Sequence, residues 1–264
     1  MINKEKELTG GNMSTVTTDG ENVYKDIKEQ SKTIHRLLQH LESNGFNKCP
    51  KSLGFDAKGR ERLSFVDGDT IDDYPLYKNI ELKKETIKEA ALLLKEFHNA
   101  TLGFKRSTED IWYLRYPGKL EKEVICHNDF APYNVTFKKH IPIGIIDFDT
   151  ACPAPRVWDI AYAMYRFVPL SQQVYDSKTN QYRNYERDVD AHERKILIDL
   201  FLTTYGMQFD VKEIVIERLQ ALIALFDEQC KLGEASFIKM KEEGHQELYR
   251  QEVEFIKNEY SYWQ

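Results

Sequence analysis

Five polar residues fall close together in the middle of this chain: His127, Asp129, Asn134, Asp147 and Asp149. An amide oxygen and a carboxylate are hard donors, suited to Mg2+. A further carboxylate can accept a hydrogen bond from a hydroxyl and aim its oxygen. Such groups must be brought to one place by the backbone. Two short apolar runs, residues 134–137 and 143–148, flank a polar link that contains Pro142. This pattern predicts a β-hairpin. A turn near His140 pairs the runs antiparallel and sets Asn134 opposite Ile146 or Asp147, so that both can reach one cation. Asp129 lies on the loop 126–133 that enters the hairpin, where Pro132 restricts the path. His127 reads as a brace for this loop through its ring nitrogens, not as a general base.

Composition sets the bounds. The 264 residues suit one large domain or two modest lobes. A hydrophobic share of 41% and a charged share of 30% are those of a soluble globular chain. The net charge of -6 argues against nucleic acid or an acidic membrane as partner. No apolar run is long enough to span a bilayer, and the N-terminus has no apolar core of a secretory signal. Cys49, Cys126, Cys152 and Cys230 are scattered without metal-type spacing. A reducing cytoplasm is the simplest location.

The N-terminal part reads as a small antiparallel sheet of about five strands. A first turn carries Gly10, Gly11, Asn12 and Ser14. It serves either as a plain hairpin turn or as a cradle whose backbone N–H groups approach phosphates. Lys25 ends a short alternating strand, and Lys28 follows closely. Residues 30–44 predict a helix with Ile34, Leu37, Leu38 and Leu41 on one face and Gly45 as its stop. Strands 49–55 and 61–66 complete the sheet.

The order His127, Asp129, Asn134, Asp147, with HND and DFD in place of HRD and DFG, and the downstream residues Pro155, Trp158, Asp159 and Tyr162, resemble the aminoglycoside phosphotransferase and choline kinase-like superfamily of small-molecule kinases. The resemblance implies an α+β, protein-kinase-like two-lobed fold. Residues 1–66 would form a nucleotide-binding lobe with a hinge near 63–68, and residues 67–264 a mostly helical lobe with the catalytic hairpin. It implies transfer of the ATP γ-phosphate, with Mg2+, to a hydroxyl of a small molecule, an aminoglycoside or another cationic hydroxylated compound. Asp129 and Asn134 are then the catalytic residues, and Asn134 and Asp147 the metal ligands. Gly10, Gly11, Asn12, Ser14, Lys25, Phe65 and Val66 are then the nucleotide contacts, with Lys28 an alternative to Lys25. Monomer and homodimer both stay open. One departure stands out: the helix position that carries a lysine-pairing glutamate in the family is His35 here, so that either His35 itself touches phosphate or the Lys25 region, or Glu29 or Glu42 takes over, or His35 is an ordinary solvent or core histidine.

In the C-terminal part, helices are expected over residues 82–99, 160–165, 191–205, 211–231 and 236–262, the last with a break near Gly244. Asp159 is expected to cap the second of these. Residues 169–188 read as a long polar loop. By resemblance the last helices form the acceptor pocket, and Asp188, Asp190, Glu193, Asp227, Glu228 and Glu234 would suit a cationic acceptor. Two rivals remain. A catalytically weak nucleotide- or ligand-binding relative is the first, motivated by His35 and by the HND and DFD wording. A protein kinase is the second, and the few residues between Asp149 and Pro155 leave no room for a peptide platform.

Overall fold

The computed structural model describes residues 5–8, 16–71, 79–176, 179 and 181–264. Strands β1 (Lys6–Leu8), β2 (Val16–Thr18), β3 (Asn22–Asp26), β4 (Ser52–Phe55) and β5 (Arg60–Ser64) form one sheet in the order β1-β2-β3-β5-β4. All its pairings are antiparallel. This agrees with the expected five strands. Helix α1 (Ser31–Ser43) buries Ile34, Leu37, Leu38 and Leu41, and the chain leaves it through Gly45 at φ 78°.

The described chain divides into two compact units, residues 1–72 with 93–156 and residues 73–92 with 157–264. Helix α2 (Ile80–Thr101) contributes to both. The first unit also holds β6 (Val124–Cys126), the hairpin β7 (Val135–Lys138) and β8 (Ile141–Ile145), and β9 (Cys152–Ala154), which pairs with β6. The hairpin turns at Lys139 and His140, so Ile141 and Pro142 belong to the strand and not to the link. The Ile146 N–H donates to Asn134 O at 2.9 Å. The expected register is thus present, with Asn134 facing Ile146.

The hairpin is tied to its surroundings by backbone. Ile145 N–H donates to Lys48 O at 2.8 Å, and Asp69 and Phe137 exchange two bonds, 3.0 and 2.8 Å long. Gly68 sits beside this bridge at φ +116°, where an added Cβ would lie 2.9 Å from Phe137 O. Only glycine combines that dihedral with that approach.

The second unit is mostly helical: α3 (Arg156–Phe167), α4 (Arg187–Tyr205), α5 (Val211–Leu232), α6 (Ala235–Glu242) and α7 (His245–Glu259). The expected break at Gly244 separates α6 from α7. Two expectations need correction. Asp159 does not cap a helix: α3 begins at Arg156, and Asp159 is buried in its first turn. Residues 169–188 are not simply a loop, because β10 (Gln173–Asp176) and β11 (Gln181–Asn184) pair as a hairpin. No described helix is long and apolar enough to cross a membrane.

Replacing Gly68 with Ala is expected to destabilise the protein by about 1–3 kcal/mol through backbone strain and the contact with Phe137. Thermal unfolding should show this as a drop of several degrees. A Gly59→Ala control, at a similar positive φ but with open space around it, should lose less.

Candidate active site

Strand β6 ends in the loop His127–Asn128–Asp129, and Asn128 turns it with φ 65°. Asparagine tolerates that left-handed conformation better than most residues. The Asn128 side-chain amide donates to Thr150 O at 3.0 Å, which fixes the loop to the segment after the hairpin. His127 is fully buried. Its Nδ1 accepts the Asp129 N–H at 3.3 Å, and its Nε2 donates to Ile146 O at 2.9 Å. These two backbone partners fix the tautomer with the proton on Nε2. The ring also packs edge-on against Phe148, with centroids 4.9 Å apart. His127 therefore binds the loop bearing Asp129 to the strand end bearing Asp147.

Asp129 is partly exposed and held at both oxygens. Tyr133 OH donates to Oδ1 at 2.6 Å, and Asn134 Nδ2 donates to Oδ2 at 2.8 Å. Asn134 Nδ2 also donates to Asp129 O at 3.0 Å. Both amide hydrogens of Asn134 are thereby used, which leaves its Oδ1 as an oxygen donor. Nothing in the local sequence marks Tyr133 as the residue that holds Asp129.

Asp147 sits at φ 59°, a left-handed position that aspartate tolerates. Its side chain is more than half exposed, and its Oδ1 is 4.0 Å from Lys25 Nζ. Asp149 is mostly buried and pairs with both lysines: Lys25 Nζ contacts Oδ1, and Lys28 Nζ donates to Oδ2 at 2.9 Å. Lys25 and Lys28 thus pair with the same carboxylate.

The electrostatics follow from this crowding. Burial disfavours charge on Asp149, yet Lys25 and Lys28 outweigh it and hold the carboxyl below its usual value. Asp147 moves the other way, raised by limited solvation and by the charges of Asp149 and, more weakly, Asp129, against the pull of Lys25. Because much of its side chain meets solvent, the neighbouring charges are the part of that rise the geometry sustains. Burial also opposes the charge of Lys25, but Asp149, Asp147 and Glu61 together raise its pKa above the ordinary lysine value. Lys25 is therefore cationic throughout the neutral range.

This donor set fits Mg2+. Asn134 Oδ1 and the Asp147 carboxylate are hard oxygens on adjoining strand ends, and the surplus of carboxylate around Asp147 favours a divalent cation.

Of the other expected nucleotide contacts, Phe65 and Val66 follow β5 directly. The Phe65 N–H donates to Glu21 O at 2.8 Å. Gly10, Gly11, Asn12 and Ser14 lie outside the described residues. Neither candidate replacement for the helix glutamate reaches Lys25: Glu29 is exposed, and Glu42 pairs with Lys51 at 2.7 Å. The buried acid beside Lys25 is instead Glu61 on β5, its direct cross-strand partner. Only the β3–β5 register reveals it, and nothing in the local sequence marks this glutamate as buried.

Three comparisons bear on this geometry. The family model described as "Phosphotransferase enzyme family" matches residues 110–192. The trifolitoxin immunity protein of Rhizobium leguminosarum bv. trifolii is 32% identical over 203 residues, which span 75% of this chain and 74% of that protein. Among solved structures, the streptomycin-ATP-APH(2")-IIa ternary complex superposes with a TM-score of 0.58 at 16% identity, over 97% of this chain and 94% of that one. A choline/ethanolamine kinase family protein from Mesorhizobium loti gives 0.54 at 11% identity, over 96% and 92%. The chain belongs to the phosphotransferase enzyme family and has its kinase-like α+β fold.

The ion pairs of Asp149 predict a pH-dependent stability. Its folded pKa is depressed, so its contribution is complete above the unfolded pKa of about 3.9 and is lost as pH falls through the lower folded value. Urea unfolding of the wild type and of Asp149→Asn should differ by about 2 kcal/mol at neutral pH. That gap should begin to narrow below about pH 3.9, where the unfolded-state carboxyl protonates first, and close only below the lower folded-state pKa.

Proposed function

We propose that the chain is an ATP- and Mg2+-dependent O-phosphotransferase acting on a hydroxyl of a small molecule. The observation that carries this reading is Asp129, held through both oxygens by Tyr133 and Asn134 and set beside Asp147 and the Lys25–Asp149 pair. Phosphoryl transfer needs positioning and charge neutralisation more than a strong base, so an ordinary carboxylate suffices. Asp129 accepts the hydrogen bond of the acceptor hydroxyl and aims its oxygen at the γ-phosphorus. Asn134 Oδ1 and Asp147 hold the cation, and bound Mg2+ supplies neutralisation of charge on the phosphate oxygens. Lys25 meets the α- and β-phosphates, which then compete with Asp149 for its ammonium. The expected Gly10–Ser14 turn covers the phosphates, and Phe65 O with Val66 N–H meets the base.

The acceptor is taken to be a hydroxylated, cationic small molecule. Support comes from the streptomycin and ATP named for one solved relative. The acidic residues of the last helices support it less than expected. Asp190 is paired with Arg183 at 2.7 Å, Glu193 with Lys83 at 2.6 Å, and Asp227 with Lys241 at 3.6 Å. Asp188, Glu228 and Glu234 stay exposed.

A second reading rests on the immunity protein. Protection from a toxin would follow if the toxin were the phosphate acceptor, or if a catalytically weak chain simply bound it. Asp129→Ala separates these cases. In a coupled nucleotide-turnover assay with Mg2+ and a panel of aminoglycosides, amino alcohols, sugars and nucleosides, acceptor-stimulated turnover is expected to fall about a hundredfold or more in the variant, with its melting temperature little changed. Turnover at the wild-type rate in Asp129→Ala would remove the assigned role. Protection that survives the substitution would favour binding.

A further inference from the structure

The family's lysine partner on the first helix is missing here, and the buried polar groups around Lys25 indicate what has taken its place. Lys25 on β3 and Glu61 on β5 are directly opposed in the antiparallel ladder, so their side chains leave the same face of the sheet. Both are buried, with exposures of 7% and 1%. Glu61 is anchored from helix α1. Ser31 Oγ donates to its Oε1, and His35 Nε2 stands 3.4 Å from its Oε2. His35 is itself oriented at the other nitrogen, where Nδ1 meets Ser52 Oγ at 2.7 Å, and its ring lies against Phe55. Neither Glu61 Oε2 nor His35 Nε2 has a conventional hydrogen-bond partner. Ser31 Oγ also accepts the Lys28 backbone N–H at 2.8 Å, so the anchor of Glu61 is continuous with the segment that carries both lysines.

A carboxylate buried to this extent is costly unless a cation or donors offset it. Lys25 is the cation that the ladder places across from it. We propose that Glu61, supplied by strand β5 and held by Ser31 and His35, is the residue that positions Lys25 for the nucleotide phosphates, in place of a helix-borne glutamate. This rests on the phosphotransfer reading above. Glu61 is a positioning residue and touches no reacting atom. Its consequence is specific. Asp149 must yield Lys25 in part when phosphates arrive, whereas Glu61, which makes no direct ion pair with the ammonium, keeps its buried charge on the same face of the sheet. The placement of Glu61 opposite Lys25 is set by strand register, and α1 holds its carboxylate there through Ser31 and His35.

The test compares two ligands by titration calorimetry on the full-length protein. Mg-ATP engages Lys25 through its phosphates, whereas adenosine has none. Glu61→Gln should bind Mg-ATP about tenfold more weakly, a loss of about 1.4 kcal/mol, with adenosine affinity unchanged. Equal loss for both ligands would mark Glu61 as merely structural and overturn the proposal, as would unchanged Mg-ATP affinity. If Glu61→Gln does not accumulate as folded protein, Glu61→Asp keeps the charge and withdraws it by one methylene. It should show the same selective loss in smaller degree, and no selective loss would again overturn the assignment. Wild-type protein that binds adenosine but gains nothing from the phosphates of Mg-ATP would overturn the phosphotransfer reading itself, and this inference with it.

Discussion

Three carboxylates gathered at the neck of one hairpin set the problem that the rest of this structure solves. Asp149 and, more weakly, Asp129 raise the cost of ionising Asp147, and the protein answers the three carboxylates differently. Asp149 is neutralised by Lys25 and Lys28. Asp129 is held by the Tyr133 hydroxyl and the Asn134 amide, donors that carry no charge. Asp147 is left partly exposed with only a distant share of Lys25. The residual negative charge is thus concentrated where a divalent cation and its phosphates would sit.

That division of charge depends on backbone placed to within hydrogen-bond length. His127 joins the two acid-bearing segments through one tautomer, and Asn128 and Asp147 accept left-handed dihedrals so that loop and strand end can meet. The close approach of residues 68 and 137 requires a glycine. These groups make the site rigid without contributing chemistry. The Lys25 side differs, because its partners come from a sheet whose register alone decides which acid faces the lysine.

Much of this was legible in the sequence, and the limits have physical causes. The hairpin was readable because two apolar runs flank a polar link, and its register followed from where a turn can form. The break at Gly244 and the stop at Gly45 followed from glycine's access to positive φ. The β10–β11 hairpin was not readable, since strands such as QVYD and QYRN lack an apolar face. Asp159 does not sit at the cap because α3 already begins at Arg156 and takes Asp159 into its first turn. Glu61 was invisible for a more general reason: a glutamate in a strand is ordinarily solvated, and its burial against Lys25 is a fact of cross-strand pairing. Gly10 and Gly11, where a phosphate-cradling turn is expected from the sequence, lie outside the described residues.

The proposed phosphotransfer requires Asn134 and Asp147 to bind nucleotide through a divalent cation. Calorimetric titration of ATP with Mg2+ present and with Mg2+ chelated, on the wild type and on Asp147→Asn, tests it most directly. The account predicts tight binding only with Mg2+ in the wild type, and loss of that metal dependence in the variant. Equal ATP affinity in the wild type with and without Mg2+ would contradict it.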